Sequence, residues 1–310
     1  MVLETAGRHP SRRAVLTLGT GALLAAGGLA AGGKAYASAP GGEAAVSGQL
    51  AELERAHAAR LGIFARHVIT GRTLLYRAEE RFPICSVFKT LAAAAVLRDL
   101  DQGGEFLAKR IRYTEKYVVD SEYGPVTGKA ENLANGMTVA QLCAAAVSES
   151  DNAAGNLLLR ELGGPTAITR FCRSIGDGIT RLDRWEPRLN SAEPWRVTDT
   201  TSPRAIGTTY ARLILGDVLP DRDRELLTGW LVANTTNTER FRKGLPADWI
   251  LADKTGGGDQ YGVTNDVGVV WPPDRSPIVL SVLSTKSAPA GPRDNLLVQQ
   301  AAALVAAALT

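Results

Sequence analysis

The chain has 310 residues and a formal net charge of +3, from 35 basic and 32 acidic side chains. Residues 1–37 hold four of the basic groups (Arg8, Arg12, Arg13, Lys34) and one acidic group (Glu4), which leaves 31 of each and no net charge in residues 38–310. That neutrality argues against nucleic acid or an acidic membrane as partner, and an odd set of cysteines, Cys85, Cys143 and Cys172, argues against a disulfide scaffold.

The segment "SRRAVLTLGTGALLAAGGLAAGGKAYA" carries paired arginines, an apolar run broken by glycines, and the small-residue ending Ala35-Tyr36-Ala37. It reads as a signal peptide of the twin-arginine type over residues 1–37, not as a membrane span. The expected mature chain begins near Ser38, lies outside the cytoplasm and has no stable membrane anchor. From there "EAAVSGQLAELERAHAARLG" has the spacing of an amphipathic helix, and "GIFARHVI" and "TLLYRA" read as a strand pair around "TGR". From Ser86 to about Leu231 the pattern is mostly helical, as in "VFKTLAAAAVLRDL", "TVAQLCAAAVSES" and "NAAGNLLLREL". Strands return in "WILADKTG", "GVTNDVGVVW" and "PIVLSVLST", and an apolar helix from about Arg293 to Leu309 closes the chain.

Strands at both ends with helices between them predict an α+β fold: an antiparallel sheet built from both termini, flanked by terminal helices and packed on a helical insertion. The expected division is one domain over 38–310, with an α/β part at about 38–85 and 235–310 and a helical part at about 86–234. A cleft belongs where the two parts meet. No cofactor or metal is expected, because His57 and His67 lack a second ligand at zinc spacing.

In "CSVFKT", Ser86 and Lys89 are three apart and share a helix face. A serine hydroxyl needs a neighbour to take its proton. No histidine follows His67 to build a Ser-His-Asp triad, but a lysine of lowered pKa can serve. The chain has 27 arginines and only 8 lysines, so a lysine beside Ser86 favours proton handling, which arginine cannot do. Ser150-Asp151-Asn152 precedes a helix and, taken alone, is better explained as an ordinary N-cap than as catalytic. In "KTGGGDQYG", Lys254 heads a glycine run that lets a ligand approach a strand edge, or merely softens a hairpin.

Ser86-x-x-Lys89, Ser150-Asp151-Asn152 and Lys254-Thr255-Gly256, in this order, form the motif set of class A β-lactamases and penicillin-binding proteins. With "EYGPVT", "NGMTV", "SDNAAGNLLL", "TSPRAI" and "VTNDVGVVW", the sequence resembles a class A serine β-lactamase over nearly all of residues 38–310. The resemblance implies the β-lactamase/penicillin-binding-like fold and a small-molecule β-lactam substrate, with a monomer expected. It also gives "EPRLN" a purpose: class A enzymes carry a glutamate and an asparagine four apart on an irregular Ω-shaped loop, here Glu186 and Asn190, with a cis bond expected at Glu186-Pro187.

By the same resemblance Ser86 is the nucleophile, Lys89 or Glu186 the acylation base, and Ser150 the proton donor to the departing nitrogen. Glu186 with Asn190 directs the hydrolytic water. Asn152 meets the acylamino side chain, and Lys254 and Thr255 meet the substrate carboxylate. The backbone of Gly257, with that of Ser86, forms the oxyanion hole, while Asp151 braces its loop. Thr264 stands where many relatives have a carboxylate-binding arginine, and Arg240 resembles the substitute some relatives supply. Tyr123 matches a cleft-mouth aromatic, with a core position the alternative. Ala93 occupies the family's usual partner position for Cys143, so that bridge is expected to be absent. A Cys143–Cys172 bridge is conceivable, and Cys85 reads as a small buried apolar residue. Gly258 leaves Cys85 without the partner found in some carbapenem-hydrolysing relatives. Two other activities share part of this pattern, a penicillin-binding D,D-peptidase and a non-hydrolytic β-lactam-binding sensor; both are expected to lack the Glu186–Asn190 pair.

Overall fold

The computed structural model describes residues 40–310; the signal-peptide reading of residues 1–37 lies outside the described residues. Helix α1 (Pro40–Ala56) leads into strands β1 (Ala59–His67) and β2 (Thr73–Tyr76), and the chain leaves the sheet for a helical region. That region contains α2 (Phe88–Ala95), α3 (Val139–Ser148), α4 (Asn152–Glu161), α5 (Thr166–Ser174), α6 (Pro203–Ile214) and α7 (Asp221–Val232). The chain then returns as β3 (Ile250–Gly257), β4 (Thr264–Trp271) and β5 (Ile278–Lys286), and ends in α8 (Asn295–Leu309).

The five strands form one antiparallel sheet in the order β2-β1-β5-β4-β3. Its centre joins the two ends of the chain: β1 and β5 pair over their whole length, from Ala59 opposite Lys286 to His67 opposite Ile278. Strand side chains alternate between faces, and Leu61, Ile63 and Ala65 of β1 pack with Leu280 and Val282 of β5 under α1 and α8. On the other face Phe64 joins the helical core.

At the middle of that core lies α2, whose every residue from Phe88 to Ala95 is buried. Four consecutive alanines favour helix and let neighbouring helices approach it from all sides. The chain continues as a π-helical turn over Val96–Leu100, where an ordinary α-turn was expected. Local chemistry sets the helix starts. Thr138 and Gln141 form a capping box at α3, and Ser202 caps α6, which has a proline in its first turn.

Between α5 and α6 the mostly helical pattern is interrupted, where the resemblance implied an irregular loop around "EPRLN". Residues 177–202 are irregular except for a single 3₁₀ turn at Arg188–Ser191 and the two-residue strand Thr200–Thr201, which pairs with Phe82–Pro83. The conceivable Cys143–Cys172 bridge is not formed. All three cysteines are free and buried, and Cys143 and Cys172 act as small apolar fillers of the helical core. Among the described residues no helix is long and apolar enough to cross a membrane.

Gly268 on β4 lies opposite Asp253 on β3, and a Cβ there would come within 2.4 Å of the Ala252 carbonyl oxygen and 2.7 Å of Asp253 Cα. Gly268→Ala is therefore expected to destabilise the protein by about 1–3 kcal/mol through overpacking. The check is a lower urea midpoint at unchanged m-value; a midpoint equal to the parent's contradicts this account of the strand pair.

Candidate active site

Ser86 stands on a 3₁₀ turn, Cys85–Val87, that runs directly into α2. Cys85 has φ +44°, a left-handed conformation costly for a side chain. The surroundings hold the turn: the Ile84 amide donates to the Asp199 carbonyl at 2.9 Å, and Asn265 Nδ2 of β4 donates to the Pro83 carbonyl at 2.8 Å. Strand β3 passes so near that a Cβ on Gly256 would lie 3.0 Å from the Ile84 carbonyl oxygen. Glycine is what lets the sheet edge reach the nucleophile.

One turn on, Lys89 is wholly buried. Its Nζ lies 2.9 Å from Ser86 Oγ and 3.2 Å from Glu186 Oε1, and donates to the Ser150 carbonyl at 2.7 Å and to Asn152 Oδ1 at 2.6 Å. Burial lowers its pKa, against the opposing pull of the Glu186 carboxylate. Ser86 Oγ in turn is 3.3 Å from Glu186 Oε1.

Ser150 adopts φ +58° just before α4, and the N-cap reading of its neighbour is correct as far as it goes. Asp151 Oδ1 accepts from the Ala154 amide at 2.8 Å. Its carboxylate also accepts from the amides of Val126 and Thr127 and from Thr127 Oγ1, so it braces the loop that presents Tyr123, as expected. Asn152 Nδ2 donates to the Ser121 carbonyl at 3.0 Å.

From β3, Lys254 Nζ reaches Ser150 Oγ at 3.0 Å and the Thr255 carbonyl at 2.9 Å. Burial, then the positive charges of Lys89 and Arg240, push its pKa well down. Behind it Asp253 and Asp266, both inaccessible to solvent, are diagonal neighbours on β3 and β4, Asp253 being opposite Gly268 and Asp266 opposite Thr255. Asn234 and Asn237 donate to Asp253, and the Phe241 amide donates to Asp266 Oδ2. Asp266 Oδ1 has no hydrogen-bond partner among the described residues. Burial and the neighbouring Asp253 raise the pKa of Asp266 well above its ordinary value.

The loop that "EPRLN" opens comes to the opposite side of Ser86, and the Glu186-Pro187 bond is cis, as expected. Asn190 Nδ2 donates to Glu186 Oε2 at 2.6 Å. Asn156 holds the glutamate's backbone at both ends, accepting from its amide and donating to its carbonyl, each at 3.0 Å. At the loop's base Arg184 Nε meets Asp199 Oδ2 at 2.6 Å, and Asp199 also accepts from the amides of Asp183 and Arg184.

These groups open on one cleft of about 850 Å³, lined among others by Ser86, Ser150, Asn152, Asn190, Thr255 and Gly257. Tyr123, half-exposed, stands at its edge rather than in the core. Arg240 also lines it, held by the carbonyls of Gly256 and Asn265 and by Asn295 Oδ1, whereas Thr264 is buried and turned to the Gly262 carbonyl. Every site residue expected from the motifs is thus within one constellation. Asn156, the Asp253–Asp266 pair, Thr236, whose hydroxyl bonds that of Thr255, and Arg293 on the cleft wall were missed. For Asn156 a signal existed, since it lies four residues beyond Asn152 on the same helix face.

A family model described as the beta-lactamase enzyme family matches residues 45–309. The chain belongs to that family. It is 66% identical to a β-lactamase of Streptomyces lavendulae over 307 residues, covering 99% of this chain and 100% of that protein. It is 69% identical to one of Kitasatospora aureofaciens over 306 residues, covering 97% and 98%. The solved β-lactamase from Streptomyces albus G superposes with a TM-score of 0.85 at 61% identity, covering 86% of this chain and 100% of that one. A class A β-lactamase reconstructed as the last common ancestor of Gram-negative bacteria gives 0.80 at 50% identity, covering 86% and 100%. This β-lactamase is a class A serine enzyme and a hydrolase, with the α+β fold expected of it.

In this β-lactamase the carboxyl pair sets a pH dependence of stability. Asp253 and Asp266 both have pKa values raised from the ordinary 3.8. The folded state therefore retains a proton that the unfolded chain releases above that value, and the associated stability is lost as pH rises through the folded values. Asp266→Asn keeps a donor toward Asp253 without titrating. The stability of the parent relative to this variant is expected to fall as pH rises above 4, at up to about 1.4 kcal/mol per unit. Urea titrations at a series of pH values give the comparison, and a difference independent of pH removes the retained proton.

Proposed function

We propose that this β-lactamase opens the ring amide of penicillin-type antibiotics in two steps on Ser86, and so protects its host from them. The observation that carries the reading is the triangle of Ser86 Oγ, Lys89 Nζ and Glu186 Oε1, with sides of 2.9, 3.2 and 3.3 Å, shielded from solvent on the lysine and glutamate sides. Two protons of Lys89 are committed to the Ser150 carbonyl and Asn152 Oδ1, which leaves its lone pair for the serine proton once the amine is neutral. Its lowered pKa supports that state. Lys89 is thus the acylation base.

Ser86 Oγ attacks the lactam carbonyl while the backbone amides of Ser86 and Gly257 receive the oxyanion; one such donor is worth about 3 kcal/mol. Ser150 hands a proton to the departing nitrogen, with Lys254 holding the local field positive. Lys254, Thr255 and Arg240 bind the substrate carboxylate, Asn152 binds the acylamino group, and Tyr123 borders its side chain. Glu186 then takes a proton from the water that cleaves the ester. Asn190 assists: its Nδ2 fixes Glu186 Oε2, and its Oδ1 is buried without a protein partner among the described residues, a natural acceptor for that water.

The working unit on this reading is residues 38–310, a monomer with an α/β part at about 38–85 and 235–310 and a helical part at about 86–234. The paired arginines and small-residue ending of residues 1–37 support export by the twin-arginine route. A D,D-peptidase or a drug sensor has no use for the Glu186–Asn190 pair.

Glu186→Ala is expected to acylate with benzylpenicillin and stop there, giving a mass increase of one drug molecule on Ser86 by intact-protein mass spectrometry. Normal steady-state turnover of that variant overturns the role of Glu186. Lys89→Arg keeps a positive charge but cannot release the proton, so kcat/KM is expected to fall by about 10²–10⁴. A stopped-flow assay with a chromogenic cephalosporin measures it, and an acylation rate equal to the parent's excludes Lys89 as base.

A further inference from the structure

A second cavity, of about 610 Å³, lies on the far side of the Ω-shaped loop from the cleft. One wall is the loop itself from Leu189 to Thr200, and the other is the start of β1 with the end of β5. The volume is that of a drug-sized ligand site, and one of its cations lacks a carboxylate partner. Arg60, Arg81, Arg184, Arg196 and Lys286 line it with Glu193 and Asp199; Arg60 also meets Glu80 at 3.3 Å and Lys286 meets Asp294 at 2.7 Å, which leaves Arg81 as the lining cation without a carboxylate among the described residues.

Both carboxylates are already engaged. Asp199 takes Arg184 Nε and two amides, and Glu193 takes Ser191 Oγ at 2.5 Å and Arg196 Nε at 3.3 Å. Arg81, by contrast, donates only to neutral oxygens, the Ile179 carbonyl and Thr200 Oγ1, each at 3.1 Å. Thr198 Oγ1, on the same lining, is buried without a partner among the described residues. Pro83, Leu189, Pro194 and Tyr261 add apolar surface. An unpaired guanidinium, Arg81, beside an apolar floor suits an organic anion, whose ring or chain covers the floor while its acid group meets that guanidinium.

The cavity touches the machinery from behind. Leu189 and Ala192 lie on either side of Asn190 in the chain, and Ala192 and Tyr261 pack with Cys85, the residue before Ser86, in a small cluster of their own with Val263. Arg184 lines both the cavity and the cleft.

We propose that this cavity is a second ligand site, for a small organic anion with an apolar body and one carboxylate or sulfonate head, and that its occupant slows hydrolysis by displacing the loop that carries Glu186 and Asn190. Binding stands on the cavity alone, and the effect on turnover rests on the deacylation role of Glu186.

The test is a fluorescence titration of the full-length protein with 8-anilinonaphthalene-1-sulfonate, alongside benzylpenicillin hydrolysis with and without the probe. Expected are saturable enhancement, weaker binding at high salt, and a fall in kcat and KM together at nearly constant kcat/KM, as slowed deacylation requires. Arg81→Glu reverses the unpaired charge and Thr285→Trp fills the cavity from β5; each is expected to weaken probe binding by about tenfold or more. Urea midpoints verify that both variants fold, and the second keeps the test decisive if the first does not. Titration curves that neither substitution shifts, or inhibition competitive with benzylpenicillin, overturn the site and leave a hydration cavity only. If hydrolysis itself were absent, the fluorescence titration would still report on binding.

Discussion

Two lysine side chains without solvent contact, Lys89 and Lys254, govern how the rest of the site is arranged. An isolated buried ammonium is too costly to persist, so each must be neutralised, paired or surrounded by oxygens. Lys89 has Glu186, the Ser150 carbonyl and Asn152 around it. Lys254 has no carboxylate within ion-pair distance among the described residues, only Ser150 Oγ and the Thr255 carbonyl, with the buried Asp253–Asp266 pair behind it. Remove the burial and Lys89 returns to an ordinary surface cation, a poor acceptor for a hydroxyl proton. The all-round burial of α2 and the close approach of β3 at Gly256 are what maintain that dryness.

Much of this was legible in the residues themselves. The strand pattern at both ends and the helical middle yielded the layered α+β arrangement because period-2 and period-3.6 hydrophobicity are local properties. Ser86 and Lys89 could be joined because three residues on a helix is a fixed geometry, and "EPRLN" stood out because a glutamate before proline has no place in a regular element. The irregularity around "EPRLN" was legible, but the extent of the irregular course over residues 177–202 was not, since tertiary hydrogen bonds such as those to Asp199 define it. Asp253 and Asp266 lie thirteen positions apart, and their pairing exists only through the β3–β4 register. No local pattern encodes that. The cysteines show the opposite limit: composition permitted a bridge, and packing filled the same positions with thiols.

Asp151 illustrates why a plain structural reading and a functional one need not compete. One oxygen caps α4, and the carboxylate as a whole also gathers the amides of Val126 and Thr127. The cap fixes the direction in which α4 sets off, hence the position of Asn152, and the brace fixes the loop bearing Tyr123. Catalytic placement here is a by-product of satisfying backbone donors that any fold must satisfy. The same economy appears in Asn156, which keeps Glu186 in position through the main chain and leaves the carboxylate free.

The sheet's central pairing, residue 59 against residue 286, has a consequence for how the protein comes into being. As the polypeptide emerges from the ribosome, β1 can find only β2, and the middle of the sheet waits for almost the last portion of the chain. Nascent or prematurely terminated products therefore lack the centre of the structure rather than its margin, and contain no reactive serine pocket at all. Assembly is all-or-none in order of synthesis, and activity first becomes possible only after the message has been read nearly to its end.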